Sequence, residues 1–259
     1  MKYDKLSTDI SKWLADYLTS NNLKSFVIGV SGGIDSAVTS TLCAKTGHKT
    51  IVVSLPIHQE SNQLSRANKH IDWLKENYPN VQSVSSDLTE TFEAFKNLFC
   101  DTSDLALANS RSRLRMVALY QIASNNGGIV VGTGNKVEDF GVGFYTKYGD
   151  GGVDISPIAD LMKSQVRELG QQLGVNKEII DAPPTDGLWD DGRTDEDQIG
   201  ATYEELEWAM NYSGGTTTER QEEVLKIYKK FNSENKHKML DIPVFSVSEK
   251  FVPAGFQFV

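Results

Sequence analysis

A doubly wound α/β domain, with a mostly parallel sheet and helices on both faces, is the architecture that these 259 residues encode. Two observations carry that expectation. Short apolar runs rich in Val and Ile alternate with amphipathic stretches of ten or more residues, which is the pattern of βαβ units. The first of those runs, Phe26-Val27-Ile28-Gly29-Val30, leads directly into Ser31-Gly32-Gly33-Ile34-Asp35-Ser36 and a helical segment. With 39% hydrophobic and 24% charged residues, the chain can bury one generous core, and a single domain over residues 1–259 is expected.

The elements follow in order. Residues 9–18 set Ile10, Trp13, Leu14, Tyr17 and Leu18 at helical spacing. A buried strand over 26–30 and a helix over 35–45 come next, then a strand over 50–55. Residues 61–77 form a helix with Leu64, Ala67, Ile71 and Leu74 inward. A weak strand over 81–84 precedes two helical runs, 88–99 and 105–124. Gly128-Ile129-Val130-Val131-Gly132 is a further strand. Right-handed crossovers and ligand binding at the carboxyl ends of parallel strands put residues 31–36 and 133–138 on one edge of the sheet. Residues 141–154 are rich in glycine and lack a period, so they read as a functional or mobile loop. Residues 161–173 form a helix ended by Gly174, and 183–192 a loop or lid. Helices over 203–210 and 218–231 precede a tail with little pattern. No repeat, low-complexity tract or linker divides the chain.

Composition excludes several functions. A net charge of −9 disfavours non-specific nucleic-acid binding, which needs a broad basic surface. No apolar run approaches the ~18 residues of a membrane span, and the polar opening does not read as a signal segment. A cytoplasmic protein is expected. Cys43 and Cys100 form no C-x-x-C pair, so neither a disulfide framework nor a zinc site is expected, and Cys43 reads as core. Local basic groups nevertheless suit an anionic small ligand: Arg111, Arg113 and Arg115 alternate, and Lys236-His237-Lys238 stand together.

The strand-loop-helix at 26–45 can cradle phosphate. Its glycines admit positive φ and close approach of backbone N–H groups, and the helix N-terminus adds partial positive charge. Ser31 and Ser36 can donate to phosphate oxygens, and Asp35 suits a Mg²⁺ ion that bridges one. The loop is neither a Walker A sequence nor G-x-G-x-x-G. A plain strand-to-helix turn with a capping Asp or Ser is the structural alternative.

The hexapeptide resembles the S-G-G-x-D-S loop of the PP-loop, or N-type, ATP pyrophosphatases, which adenylylate a substrate oxygen and release pyrophosphate. Four further segments resemble ammonia-dependent NAD synthetases within that group. They are Asn109-Ser110-Arg111-Ser112-Arg113-Leu114-Arg115-Met116 (N-x-x-A-R-x-R-M, with Ser112 for Ala), Gly132-Thr133-Gly134-Asn135-Lys136-Val137-Glu138 (G-T-x-x-x-x-E), Phe144-Tyr145-Thr146-Lys147-Tyr148-Gly149-Asp150-Gly151-Gly152-Val153-Asp154 (F-T-K-Y-G-D-G-G-x-D) and Pro157 to Val166 (P-L-x-x-L-x-K-x-x-V). The resemblance runs from Gly29 to about Tyr203, with an echo at His237-Lys238. It implies a Rossmann-like fold of the adenine nucleotide alpha hydrolase type, ATP as co-substrate, Mg²⁺, and a homodimer whose interface helps hold the dinucleotide. No nitrilase-like glutaminase segment lies in these residues, so free ammonia is the expected nitrogen donor.

Carried over by position, the resemblance implies ATP contacts at Gly29, Val30, Ser31, Gly32, Gly33, Ile34, Asp35, Ser36, Thr133, Lys163 and Thr185. Asp35 and Glu138 stand where the family holds metal, with a helix cap or a solvated carboxylate as the structural alternative for each. Arg113, Lys147, Asp154, His237 and Lys238 stand at contacts to deamido-NAD, with Met239 where the family often has Arg. Arginines two apart on a helix diverge by ~200°, and Arg113 is preferred over Arg111 and Arg115. Phe144 or Tyr145 could stack on the nicotinate ring or pack in the core. Asp150 could orient ammonium and accept its proton, or form a turn. Lys163 would neutralise charge on the leaving pyrophosphate. The expected reaction is attack of the nicotinate carboxylate on the α-phosphorus of ATP, then displacement of AMP from the adenylate by ammonia. A PP-loop enzyme with another acceptor, or an ATP-sensing module without turnover, are the competing readings.

Overall fold

The computed structural model describes residues 2–185, 187 and 193–245. Four parallel strands, β1 (Ser25–Gly29), β2 (Thr50–Ser54), β3 (Val81–Ser85) and β4 (Gly128–Val130), lie in the order β3-β2-β1-β4. Val27 is in register with Ile51 on one side and Val130 on the other. Beyond β4 the chain returns parallel to itself, with the Asp154 N–H bonded to Val130 O at 3.0 Å and the Gly132 N–H to Ile155 O at 2.7 Å.

Side chains that alternate along the strands build two faces. Phe26, Ile28, Ile129 and Val131 pack with Leu14 and Leu18 of α1 (Tyr3–Ser20), Val38 and Leu42 of α2 (Ile34–Lys45), and Val166 and Leu169 of α6 (Lys163–Leu173). Val52 and Val81 meet Ala67, Ile71 and Leu74 of α3 (Ser61–Asn77) beside α2. Val27, Ile51, Val53 and Val130 point the other way, onto Met116, Leu119 and Ala123 of α5 (Asp104–Asn125), which follows α4 (Thr89–Lys96). Helices therefore cover both faces, as expected. Because the chain passes from β1 to β2 on one side and later returns to place β4 on the other, the loops after β1 and β4 flank a topological switch point, where such sheets bind ligands. No helix among the described residues is long and apolar enough to cross a membrane.

Short helices α7 (Lys177–Ile180) and α8 (Asp195–Ile199) precede α9 (Tyr203–Asn211) and α10 (Glu219–Met239). Thr202 with Glu205, and Thr218 with Gln221, form capping boxes that start the last two. Two expectations need correction. Residues 141 and 142, expected within the glycine-rich loop, instead close a π-helical turn over Val137–Val142. Gly143 then leaves it at φ +64°, where a Cβ would lie 2.4 Å from Asn235 Cβ. And α10 runs past residue 231 to Met239. The two departures share a cause: Asn232 and Asn235 of α10 donate to Gly141 O and Val142 O at 2.8 and 2.9 Å, so each element satisfies the other. The expected lid over 183–192 falls largely outside the described residues.

Candidate active site

The loop over 31–36 is braced by its own serines. Ser36 Oγ accepts from the Ser31 N–H at 3.2 Å and donates to Gly33 O at 3.0 Å, and Ser31 Oγ accepts from the Gly33 N–H at 3.2 Å. Gly32 turns the chain at φ +87°, pressed so close to α3 that a Cβ would lie 2.5 Å from Gln63 O. Gly33, the residue before α2, gives no side-chain cap. The N–H groups at the positive end of α2 thus face the cavity and can serve an anion.

Lys163 stands at the centre. Its side chain is 3% exposed, and its Nζ donates to Asp35 Oδ2 at 2.5 Å and to Glu138 Oε1 at 2.9 Å. The Tyr203 ring lies 4.7 Å from the ammonium. Tyr203 also donates its hydroxyl to Glu138 Oε1 at 2.5 Å and lies 3.3 Å from Asp195 Oδ2. Asn135, fully buried, ties the two carboxylates together. Its Nδ2 donates to Asp35 Oδ1 at 3.1 Å, while its Oδ1 accepts from the Val137 and Glu138 N–H groups at 3.1 and 3.2 Å. Burial works against charge on Lys163, but the two carboxylates outweigh it and raise its pKa. Burial pushes Asp35 up. On Glu138 the same burial is outweighed by Lys163 and Tyr203, which hold it below the ordinary carboxylate range. Mutual attraction thus favours charge on Lys163 and Glu138, while burial opposes it on Asp35.

The chemistry of this donor set fits Mg²⁺, which takes hard oxygens and is commonly held by one or two carboxylates with water and substrate phosphate. Asp35 and Glu138 converge on one cation position, that of the Lys163 ammonium. No cluster of three or more His, Cys, Asp or Glu suited to a metal occurs among the described residues. Nucleotide phosphates would have to complete such a site.

Two more carboxylates line the cavity. Asp139 presses on Gly134, where a Cβ would lie 2.2 Å from its Oδ2. Burial, then Glu138, Asp150 and Asp35, push its pKa up to about 8. Asp150 Oδ1 accepts from Ser112 Oγ at 2.6 Å and from the Thr146 N–H at 3.0 Å, and its own N–H returns to Ser112 Oγ at 2.9 Å. Its carboxylate keeps a solvent-facing side in the cavity, yet the surrounding protein raises its pKa. Tyr148, beside this turn, adopts φ +66°, a strained conformation for an aromatic residue that is typical of functional turns.

A cavity of about 630 Å³ gathers most of the residues expected from sequence: Gly29 through Ser36, Thr133, Glu138, Phe144, Asp150, Lys163, Thr185 and Lys238 all line it. Gln63 Nε2 donates to Thr185 Oγ1 at 2.6 Å. Lys238 Nζ donates to Tyr145 O at 2.8 Å and lies 4.9 Å from that ring. Arg113, Lys147, Asp154 and His237 are not among the lining residues. Arg113 Nε donates to Lys147 O at 3.2 Å, and Lys147 Nζ to His237 O at 3.1 Å, a chain of contacts outside the wall. Asp154 accepts from the Val130 N–H at 2.7 Å and from Tyr120 OH at 3.0 Å, at the sheet edge. On α5 it is Arg115 that faces the cavity, donating to Leu55 O and to Gln59 Oε1 at 3.0 Å each. Sequence reasoning missed Asn135, Asp139, Tyr203 and Gln63 as site residues.

A sequence profile described as NAD synthase matches residues 6–242. The chain belongs to the NAD synthase family. It is 41% identical over 216 residues to an NH(3)-dependent NAD(+) synthetase of Finegoldia magna, covering 82% of this chain and 87% of that one. To the NH(3)-dependent NAD(+) synthetase of Methanocaldococcus jannaschii it is 34% identical, over 96% of this chain and 90% of the other. Among solved structures, an NMN synthetase from Francisella tularensis superposes with a TM-score of 0.86 at 34% identity, covering 95% and 100% of the two chains. The NAD synthase family thus accounts for both the parallel sheet and the loop at its switch point.

Proposed function

We propose that this chain is a ligase that amidates the nicotinate carboxylate of deamido-NAD with ammonia, with ATP as co-substrate and AMP and pyrophosphate as products. The observation that carries the reading is the Asp35, Glu138 and Lys163 cluster set against the uncapped start of α2, in a chain whose relatives are NH(3)-dependent NAD(+) synthetases.

A carboxylate is a poor electrophile, because it is anionic and its oxygen leaves badly. The loop over 31–36 and the α2 N-terminus bind the phosphates of ATP. The substrate carboxylate attacks the α-phosphorus, pyrophosphate departs, and an acyl adenylate forms. Lys163 neutralises the charge that gathers on the departing oxygens. Asp35 and Glu138 would hold Mg²⁺, which supplies further positive charge to the same phosphates. Ammonia then attacks the acyl carbon and AMP leaves. Asp150, fixed by Ser112 and the Thr146 N–H, would orient ammonium and take its proton. Phe144 supplies an apolar wall for the ring, and Arg113, Lys147, Asp154, His237 and Lys238 bind the rest of the dinucleotide. The residues outside the cavity wall would do so across a homodimer interface. That dimer and a cytoplasmic location rest on the family resemblance, which also supports one domain over residues 1–259.

A second reading changes only the acceptor. The superposition on an NMN synthetase favours a mononucleotide that lacks the adenylyl half. Incubation with ATP, Mg²⁺, ammonium and either deamido-NAD or nicotinate mononucleotide decides between them. Equal, ammonium-dependent formation of NAD and AMP from deamido-NAD is expected. Amidation of the mononucleotide in preference would install the second reading, and AMP without either amide would reopen the acceptor.

A further inference from the structure

We infer that Lys163 is a displaceable counter-ion, closing the bite of Asp35 and Glu138 to divalent metal until a bound triphosphate draws its ammonium away. The inference rests on the reading of those carboxylates as metal ligands and deepens it, by making metal binding conditional on nucleotide.

The geometry leaves little choice. Lys163 Nζ sits 2.5 Å from Asp35 Oδ2 and 2.9 Å from Glu138 Oε1, in the position a bridging metal would take. Further contacts take up other atoms of the pair. Tyr203 OH already occupies Glu138 Oε1, Asn135 Nδ2 occupies Asp35 Oδ1, and the Tyr203 ring covers the ammonium. The two oxygens that converge, Asp35 Oδ2 and Glu138 Oε1, therefore meet where the lysine stands. A divalent ion that arrives alone would meet this ammonium at contact distance, and their repulsion offsets part of the attraction of the carboxylates.

A triphosphate changes the balance. Asp35 is in the first turn of α2, so phosphate seated on the α2 N-terminus lies next to the lysine. The ammonium sits on a flexible four-carbon stem with three rotatable donors, and phosphate oxygens offer it partners as good as the carboxylates it leaves. Lys163 begins α6, so its stem can swing without moving the helix. The metal then enters a site completed by the same phosphates. Metal and nucleotide must consequently strengthen one another's binding by the same factor.

The test is protein-bound Mn²⁺, counted from the loss of the free-ion EPR signal in nucleotide-free protein. Lys163→Met removes the charge and keeps the stem. It should bind Mn²⁺ at least about tenfold more tightly than the parent, and Glu138→Gln in that background should abolish the gain. Lys163→Gln serves if the Met variant does not fold, as judged by thermal melting. No gain in a folded variant, or a gain that survives Glu138→Gln, overturns the proposal. A tight Mn²⁺ site in the nucleotide-free parent that Glu138→Gln removes overturns it without any lysine variant. The readout is occupancy without turnover, so a chain inactive on either acceptor would still decide the matter.

Discussion

Replacing Gly32 by alanine tests whether the phosphate loop is held by its contact with α3. The substitution does two things. It places an L-residue at φ +87°, which costs about 1–2 kcal/mol. It also drives a methyl to 2.5 Å from Gln63 O and 3.1 Å from Ala67 N, both main-chain atoms of a helix that cannot rotate out of the way. Overpacking of this kind costs about 1–3 kcal/mol. Together they predict a loss of roughly 2–5 kcal/mol. Relief by displacing α3 would also break the 3.3 Å bond from Arg66 Nε to Gly32 O and the 2.6 Å bond from Gln63 to Thr185. Gly47→Ala is the control, because Gly47 has φ +77° and open space around its Cβ position. Urea unfolding of both variants separates backbone strain from contact, and calorimetric titration with ATP reads the loop. Gly32→Ala should be the less stable by at least about 1 kcal/mol, and it alone should weaken ATP binding, by about tenfold or more. Equal stabilities, or undiminished ATP affinity, would refute the idea that backbone contact with α3 sets the loop.

Other perturbations follow from the same geometry. Asp139 keeps its proton in the folded protein up to about pH 8, whereas the unfolded chain loses it near pH 4. The folded state then binds more protons, so the contribution of this group to stability falls as pH rises through that window and levels off above it. In metal-free protein, Asp139→Asn should remove that fall and be more stable than the parent by about 1–3 kcal/mol at pH 8.5, with the gap closing toward pH 4. A pH-independent gap in urea unfolding would refute it. Ser112→Ala frees Asp150 from a charge-assisted bond worth about 1.5–3 kcal/mol. Turnover should drop about ten- to a hundredfold with KM for ATP nearly unchanged, and a raised KM alone would argue for a purely structural role. Tyr203→Phe strips one donor from Glu138 and should weaken Mn²⁺ binding in the nucleotide complex by about tenfold, with fold stability checked by thermal melting.

Regular spacing made some of the fold legible and contact chemistry hid the rest. The helix over 61–77 has the bounds expected from its inward Leu64, Ala67, Ile71 and Leu74. Strand β2 and the stop of α6 at Gly174, with φ +77°, were equally plain. The π-helical turn was not, because six residues with glycine inside carry no period and their carbonyls are satisfied by asparagines some 90 positions away. Among the arginines of α5, neighbours two apart diverge, and the apolar pattern of the helix tells which of them borders the core. Ala108, Ser112, Met116 and Leu119 form a buried stripe on α5, and Arg115 borders it whereas Arg113 lies on the exposed side.

Site residues found only in three dimensions share one property: each acts on another side chain. Tyr203 announces itself in sequence only as the first residue after a capping threonine, and Asn135 as a spacer between Thr133 and Glu138. Their value comes from holding carboxylates that would otherwise repel. An acidic cavity for two anionic substrates looks contradictory until the charges are placed. Asp35, Glu138, Asp139 and Asp150 gather on the side of the cavity where, on the proposed reading, metal and ammonium would be held. The anionic phosphates would instead meet the α2 N-terminus, and Arg66, Arg115 and Lys238 also line the wall. Net charge of −9 excluded a nucleic-acid surface but could not report this segregation. Lys163 pairs directly with two members of the acidic group, and it is the residue whose ammonium both carboxylates and phosphates can claim.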